Sequence, residues 1–213
     1  MVALKLFLYR ARNRLFSRRA WVVLCRPLEP YTGTGIPDGI EVREASESDI
    51  EAIAKALPDE LAGKLSRERR IATVSERFRV GVPCILAVES NSGQVVGGCW
   101  CRRVRRGSML WPLLPSQDVV FEISTLFVDP GYRGKHLGSV LVEYACSMMK
   151  GRGFNGCVSL VWYTRPASVK AHLKVGFKPV GEKVTLSFLG IRRSRVHPGF
   201  RQERLPLISK ASS

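Results

Sequence analysis

Apolar positions along the chain change their spacing several times, and each change predicts an element. Leu4, Phe7, Leu8, Ala11 and Leu15 recur at helical spacing with Lys5, Arg10, Arg12 and Arg14 around them, which predicts a basic amphipathic helix over residues 2–16. Trp21 to Cys25 reads as a short buried strand, and the stretch from Pro27 to Gly39 as a linker. Ile40-Glu41-Val42-Arg43 alternates like a strand, and Ser46 to Asp49 has N-cap spacing before a helix from Ile50 to Leu57. Ile71, Val74 and Phe78 mark a second helix, stopped by Gly81 and Pro83. Cys84 to Glu89 and Val95 to Val104 form a hairpin about Asn91-Ser92-Gly93. The loop from Arg105 to Gln117 carries Met109, Leu110, Trp111, Leu113 and Leu114, which either line a substrate site or pack over the core.

A long strand from Val119 to Val128 then enters a glycine-bearing turn at 130–138. The helix that follows places Leu137, Val140, Leu141, Tyr144 and Met148 on one side and ends near Gly151. Val158 to Trp162 is a further strand, Pro166 to Lys174 a short helix stopped by Gly176, and Lys183 to Leu189 a last strand. After Gly190 the pattern becomes basic and irregular, with Arg192, Arg193, Arg195, Arg201 and Arg204.

Composition adds one large fact. The chain has 213 residues, enough for one substantial core, and its 34 Lys and Arg against 18 Asp and Glu give a formal charge of +16. Such a surface favours anionic partners: a nucleotide-containing cofactor, an acidic acyl carrier protein, nucleic acid, or an anionic membrane face. Cys25, Cys84, Cys99, Cys101, Cys146 and Cys157 lack zinc spacing, so no metal site is expected and a reducing cytoplasm fits. No run approaches the ~20 apolar residues that span a bilayer. The expectation is a cytoplasmic protein, with the 2–16 helix either docked on its own domain or lying on the inner membrane face.

Strand, glycine turn and amphipathic helix make a phosphate-binding arrangement. The first helical turn leaves N–H groups unpaired at the positive end of the dipole, and Arg133 and Lys135 add charge. The segment from Glu122 to Ser139 resembles the signature strand and cofactor loop of the GNAT acetyltransferase superfamily. About 45 residues further on, Ser168 to Phe177 resembles its closing helix. The resemblance runs loosely from Ile40 to Gly190.

It implies an α/β fold with a central, mostly antiparallel mixed sheet of six to seven strands, about four flanking helices and a V-shaped splay at the cofactor site. By the same resemblance Arg133, Gly134, Lys135, His136, Leu137, Gly138 and Ser139 hold the pyrophosphate of acetyl-CoA or another acyl-CoA. The backbone at Leu126, Phe127 and Val128 holds the pantetheine arm and the thioester carbonyl. His136 stands where the superfamily usually has glycine, His172 where it has a proton-donating tyrosine, and Arg165 where it has an asparagine.

Glu122 is the candidate base, counted on one face with Ser124, Leu126 and Val128 by strand alternation; the alternative is a strand glutamate salt-bridged to arginine. His172 is either a general acid or a buried, hydrogen-bonded histidine, with Tyr163 the reserve acid. Three segments follow: 1–38 with the basic helix, short strand and linker; 39–190 the acyltransferase domain; 191–213 a basic tail. The expected function is N-acetyl transfer to a primary amine of a small molecule or amino sugar by direct attack, on a chain that allows a homodimer. The alternatives are a longer acyl-CoA or acyl carrier protein donor, the same fold binding CoA without turnover, and a non-catalytic nucleic-acid binder.

Overall fold

The five apolar residues Trp21 to Cys25 form the middle of a twelve-residue strand, β1 (Phe16–Pro27). The computed structural model describes residues 16–28, 35–62, 65–114, 119–188 and 191–199. The helix expected at 2–16 lies outside them except for Phe16, which opens β1.

β2 (Ile40–Glu44) leads through the turn at Ser46 into α1 (Ile50–Ala56). Asp49 closes that turn by accepting from Ser46 N at 2.8 Å and from Arg43 through both carboxylate oxygens at 2.8 Å. The Arg43 guanidinium holds the Asp49 carboxyl down at about 2. After a single turn at Asp59–Ala62 comes α2 (Arg67–Arg79), capped by Ser66. β3 (Cys84–Glu89) and β4 (Val95–Arg103) make the expected hairpin. Then follow β5 (Val120–Val128), α3 (Leu137–Gly151), β6 (Gly156–Trp162), α4 (Pro166–Lys174), β7 (Lys178–Phe188) and β8 (Ile191–Pro198).

All eight strands join one open sheet in the order β2-β3-β4-β5-β6-β1-β7-β8. Only β5 and β6 run parallel; the other neighbours are antiparallel. The sheet thus has one strand more than the six to seven expected. β1 lies inside it between β6 and β7, and its Val22, Val23 and Leu24 are fully buried, as a strand covered on both faces requires. The stretch after Gly190, expected to be an irregular tail, supplies β8 at the edge. Residues 16–27 and 191–198 therefore belong to the same sheet as the segment between them.

α3 and α4 cover one face, where Phe121 and Ile123 of β5 meet Leu137, Val140 and Leu141. α1 and α2 cover part of the other, where Trp100 and Phe127 meet Ile53 and Val74. Beside them Leu110, Leu113 and Leu114 pack on Val120, Val158 and Val23. Of the two readings of that loop, packing over the core is the one observed; Met109 stays 41% exposed.

β4 meets β5 through a bulge. Gly98 pairs with Phe127 and Trp100 with Ser124, so Thr125 and Leu126 together oppose Cys99. Thr125 takes the left-handed conformation, φ 55°, which is rare for a β-branched residue. Gly98 is required beside this bulge, because a Cβ there would lie 2.9 Å from Ile85 O and 3.1 Å from Phe127 Cε1. Gly98→Ala is expected to lower unfolding free energy by about 1–3 kcal/mol, as overpacking does, measured by urea titration.

Candidate functional site

Pairing between β5 and β6 runs from Val120↔Gly156 to Ile123↔Ser159 and then stops. Beyond that point β6 continues with β1, up to Trp21↔Trp162, while β5 continues with β4 to Val128↔Gly97. The sheet is therefore open between Ser124–Val128 and Leu160–Trp162, the expected V. Backbone groups on the β6-facing edge of β5 lose their strand partner there.

The bulge changes which side chains face which way. Phe121 and Ile123 lie in the core under α3 and α4, and so do Leu126 and Val128, although alternation alone would put them on opposite faces. Glu122 consequently does not share a face with Leu126 and Val128. It lies on the α1–α2 side, buried, where Arg102 Nη2 donates to its carboxylate at 2.6 Å.

After β5, Asp129 caps a short 3-10 turn by accepting from Gly131 N at 2.9 Å. Gly134 (φ 80°) and His136 (φ 61°) then turn the chain into α3. Among the described residues, the N–H groups from Gly134 to Gly138 donate to no backbone acceptor. They crown a fifteen-residue helix with no acidic residue in its first turn, so the positive end of its dipole is uncompensated. His136 occupies a backbone conformation suited to glycine, at a cost of roughly 1–2 kcal/mol for an L-residue. Its imidazole remains exposed, with Lys174 Nζ donating to Nδ1 at 3.1 Å.

In front of these amides is a cavity of about 620 Å³. It is lined by Leu126, Phe127 and Val128 from the open strand, and by Arg133, Gly134, His136, Leu137, Gly138 and Ser139 from the turn and helix start. Every expected cofactor residue reaches it except Lys135, whose ammonium lies 5.1 Å from the Tyr132 ring centre. Gly138 sits close under α4, where a Cβ would find Ala171 and Val128 at 3.8 Å.

Arg165 and Ser168, noted in the closing-helix resemblance, also line the wall, and residues not singled out from sequence complete it: Lys170 and Lys174 from α4, and Pro58 and Leu61 near α1. Lys170 and Lys174 are one helical turn apart, a spacing that signals one basic face and could have been read. Nothing local in the sequence marks Pro58 and Leu61.

The three candidate catalytic side chains lie outside that wall. His172 is 1% exposed, donates from Nδ1 to Ser168 O at 2.8 Å and packs edge-on against Phe177. A carbonyl accepts only, so the proton is on Nδ1 and Nε2 carries a lone pair; Nε2 has no partner among the described residues. Burial pushes its pKa down to about 4, which leaves it neutral at pH 7. The general-acid expectation is thus not met by its placement, whereas the buried, hydrogen-bonded alternative is. Tyr163 follows β6 at the open end, half-buried against the α3–α4 core.

A mixed sheet opened between its two parallel strands, with an amide-lined helix start beside the opening, defines an α/β protein of the acyltransferase fold. The chain belongs to the acetyltransferase (GNAT) family, whose profile matches residues 50–177. No curated protein matches it by sequence. Among solved structures it is similar to a GCN5-related N-acetyltransferase from Sphaerobacter thermophilus, at TM-score 0.62 and 21% identity over 93% of this chain and 57% of that one. It also resembles a Drosophila protein, at TM-score 0.58 and 11% identity over 88% of this chain and 57% of that one. An aminoglycoside N-acetyltransferase in complex with CoA matches at TM-score 0.55 and 17% identity, over 67% and 91%. The chain thus spans 57% of the length of the first two. No helix of the described residues is long and apolar enough to cross a membrane.

The buried imidazole makes stability depend on pH. The unfolded chain takes up a proton near 6.5 that the folded chain refuses until about 4, so acid favours unfolding across that window. Melting temperature is expected to fall from pH 6.5 to pH 4, and His172→Asn to flatten that slope.

Proposed function

We propose that this protein transfers an acetyl group from acetyl-CoA to a primary amine of a small molecule, such as an amino sugar, by direct attack. The observation that carries the reading is the row of N–H groups from Gly134 to Gly138, which donate to no backbone acceptor among the described residues, beside a cavity that reaches the open edge of β5. Those amides suit the pyrophosphate, with Arg133, Lys170 and Lys174 supplying further positive charge. His136, whose Nδ1 accepts from Lys174, would carry its proton on Nε2 and so offer one more donor.

From the pyrophosphate the pantetheine arm would run along Val128, Phe127 and Leu126. A donor on the unpaired β5 edge would then steady the thioester carbonyl as it gains negative charge under attack. Glu122, on the opposite face of the strand, would draw the proton from the amine, directly or through water. Tyr163 is the acid assigned to the departing thiolate, because the neutral His172 is packed beneath α4. Leu110, Leu113 and Leu114 are committed to the core, so these three offer no surface to a long acyl chain, which favours acetyl as the donor group.

Thermal denaturation with CoA, acetyl-CoA and adenosine tests the cofactor assignment. CoA at a hundred times its Kd should stabilise the fold by about 2.7 kcal/mol, and adenosine alone much less. Gly138→Ala should keep the shift, because its methyl fits, and Gly138→Glu should abolish it by placing a carboxylate among the amides. A persistent shift in Gly138→Glu would remove the loop as the pyrophosphate site. Thiol release from acetyl-CoA, set beside longer acyl-CoA donors, tests the chemistry. Glu122→Gln should slow it at least ~100-fold, within the usual range for a general base, without altering the CoA shift.

A further inference from the structure

Both faces of the sheet carry positive charge around the opening, by different means. If acetyl transfer proceeds as proposed, the donor occupies the α3–α4 side and the amine approaches from the other, beside Glu122. On that side β5, β6 and β1 carry one carboxylate, Glu122, and Arg102 already holds it at 2.6 Å.

Arg77 enters the same region from α2. Its neighbour Arg79 serves the helix end at the surface, paired with Glu76 at 2.6 Å. Arg77 instead turns onto the sheet: its guanidinium lies 4.9 Å from the Trp100 ring centre, and Nη1 donates to Thr125 Oγ1 at 3.3 Å. Thr125 is the bulge residue, next to Leu126 in the cavity wall. No carboxylate of the described residues pairs with Arg77. Burial, and then the nearby Arg102, work against its charge. A half-buried guanidinium with aromatic stacking but no counter-ion keeps most of its N–H fork for an anion.

The far side of the opening repeats the arrangement. Trp162, at the end of β6, is 39% exposed and meets Trp21 edge to face at 5.7 Å. Arg19 and Arg165 lie over the Trp162 ring at 5.5 and 5.7 Å, and Lys183 over Trp21 at 5.3 Å. These cations lean on aromatic faces, and neither Arg19 nor Lys183 has a carboxylate partner among the described residues.

We infer that the acceptor is an amine that also bears an anionic oxygen group, a carboxylate or a phosphate, which Arg77 receives while the amine lies near Glu122. A polycationic amine meets repulsion at this face from Arg77, Arg102, Arg19 and Lys183 together.

The test is thiol release from acetyl-CoA by the full chain with matched primary amines: β-alanine against its methyl ester, O-phosphoethanolamine against ethanolamine, and kanamycin as polycation. The anionic member of at least one pair should have kcat/KM about tenfold or more above its neutral partner, and the pair that shows this separates carboxylate from phosphate. Arg77→Gln should bring that ratio near one while the CoA melting shift stays, and Arg77→Lys should restore part of it. Neutral or polycationic amines used as well as anionic ones would overturn the inference and leave acetyl transfer standing. No release from any amine, with the CoA shift intact, would remove the proposed transfer and this inference with it. If Arg77→Gln fails to fold, the wild-type pairs and Arg77→Lys still decide.

Discussion

Beyond Ile123, β5 keeps β4 and loses β6, and the site is a consequence of that lost ladder. A strand unpaired along one edge inside a sheet leaves polar backbone groups without partners, which folded chains rarely tolerate. Here the exposed edge lies beside a cavity that a polar chain-like ligand could fill. The bulge at Thr125 occurs at the same place: it lets β5 stay registered with β4 while turning Leu126 and Val128 toward α3. Opening and bulge together put Glu122 on one side of the strand and the amide row on the other.

Charge is arranged around that geometry in two ways. On the α3 side it comes from backbone amides and from lysines of α4 near the helix start, so the anion meets fixed dipoles first and mobile cations second. His136 pays for its left-handed conformation with strain and gains a donor from Lys174 in return. On the other side the cations are arginines and a lysine resting on tryptophans. A formal charge of +16 in this chain is therefore not only a solubility feature; part of it is held close to the opening.

The strand, glycine turn and helix at 120–151 were readable because their signals are local: alternation, then glycine, then a 3.6-residue period. The sheet's width was not. β8 is built from Ile191-Arg192-Arg193-Ser194-Arg195-Val196-His197-Pro198, an exposed edge strand whose charges guard against further pairing and erase the usual apolar alternation. β1 showed its apolar centre but not its place, since its partners β6 and β7 are distant in sequence. The face of Glu122 was misread for a subtler reason: the bulge turns on Thr125 rather than a glycine, so nothing in the sequence warned that alternation breaks there. His172 filled a matching position in the closing helix, yet its depth depends on packing against Phe177, which spacing alone does not reveal.

The interior position of β1 also bears on how the chain is made. Val22, Val23 and Leu24 leave the ribosome about 140 residues ahead of their neighbours Val161, Leu160 and Ser159. Until then this oily segment has no sheet to enter, and its closure spans most of the polypeptide, a topology that slows folding and prolongs aggregation risk during synthesis. β1 is made well before the strands that shelter it on either side, which makes it a natural point of engagement for chaperones.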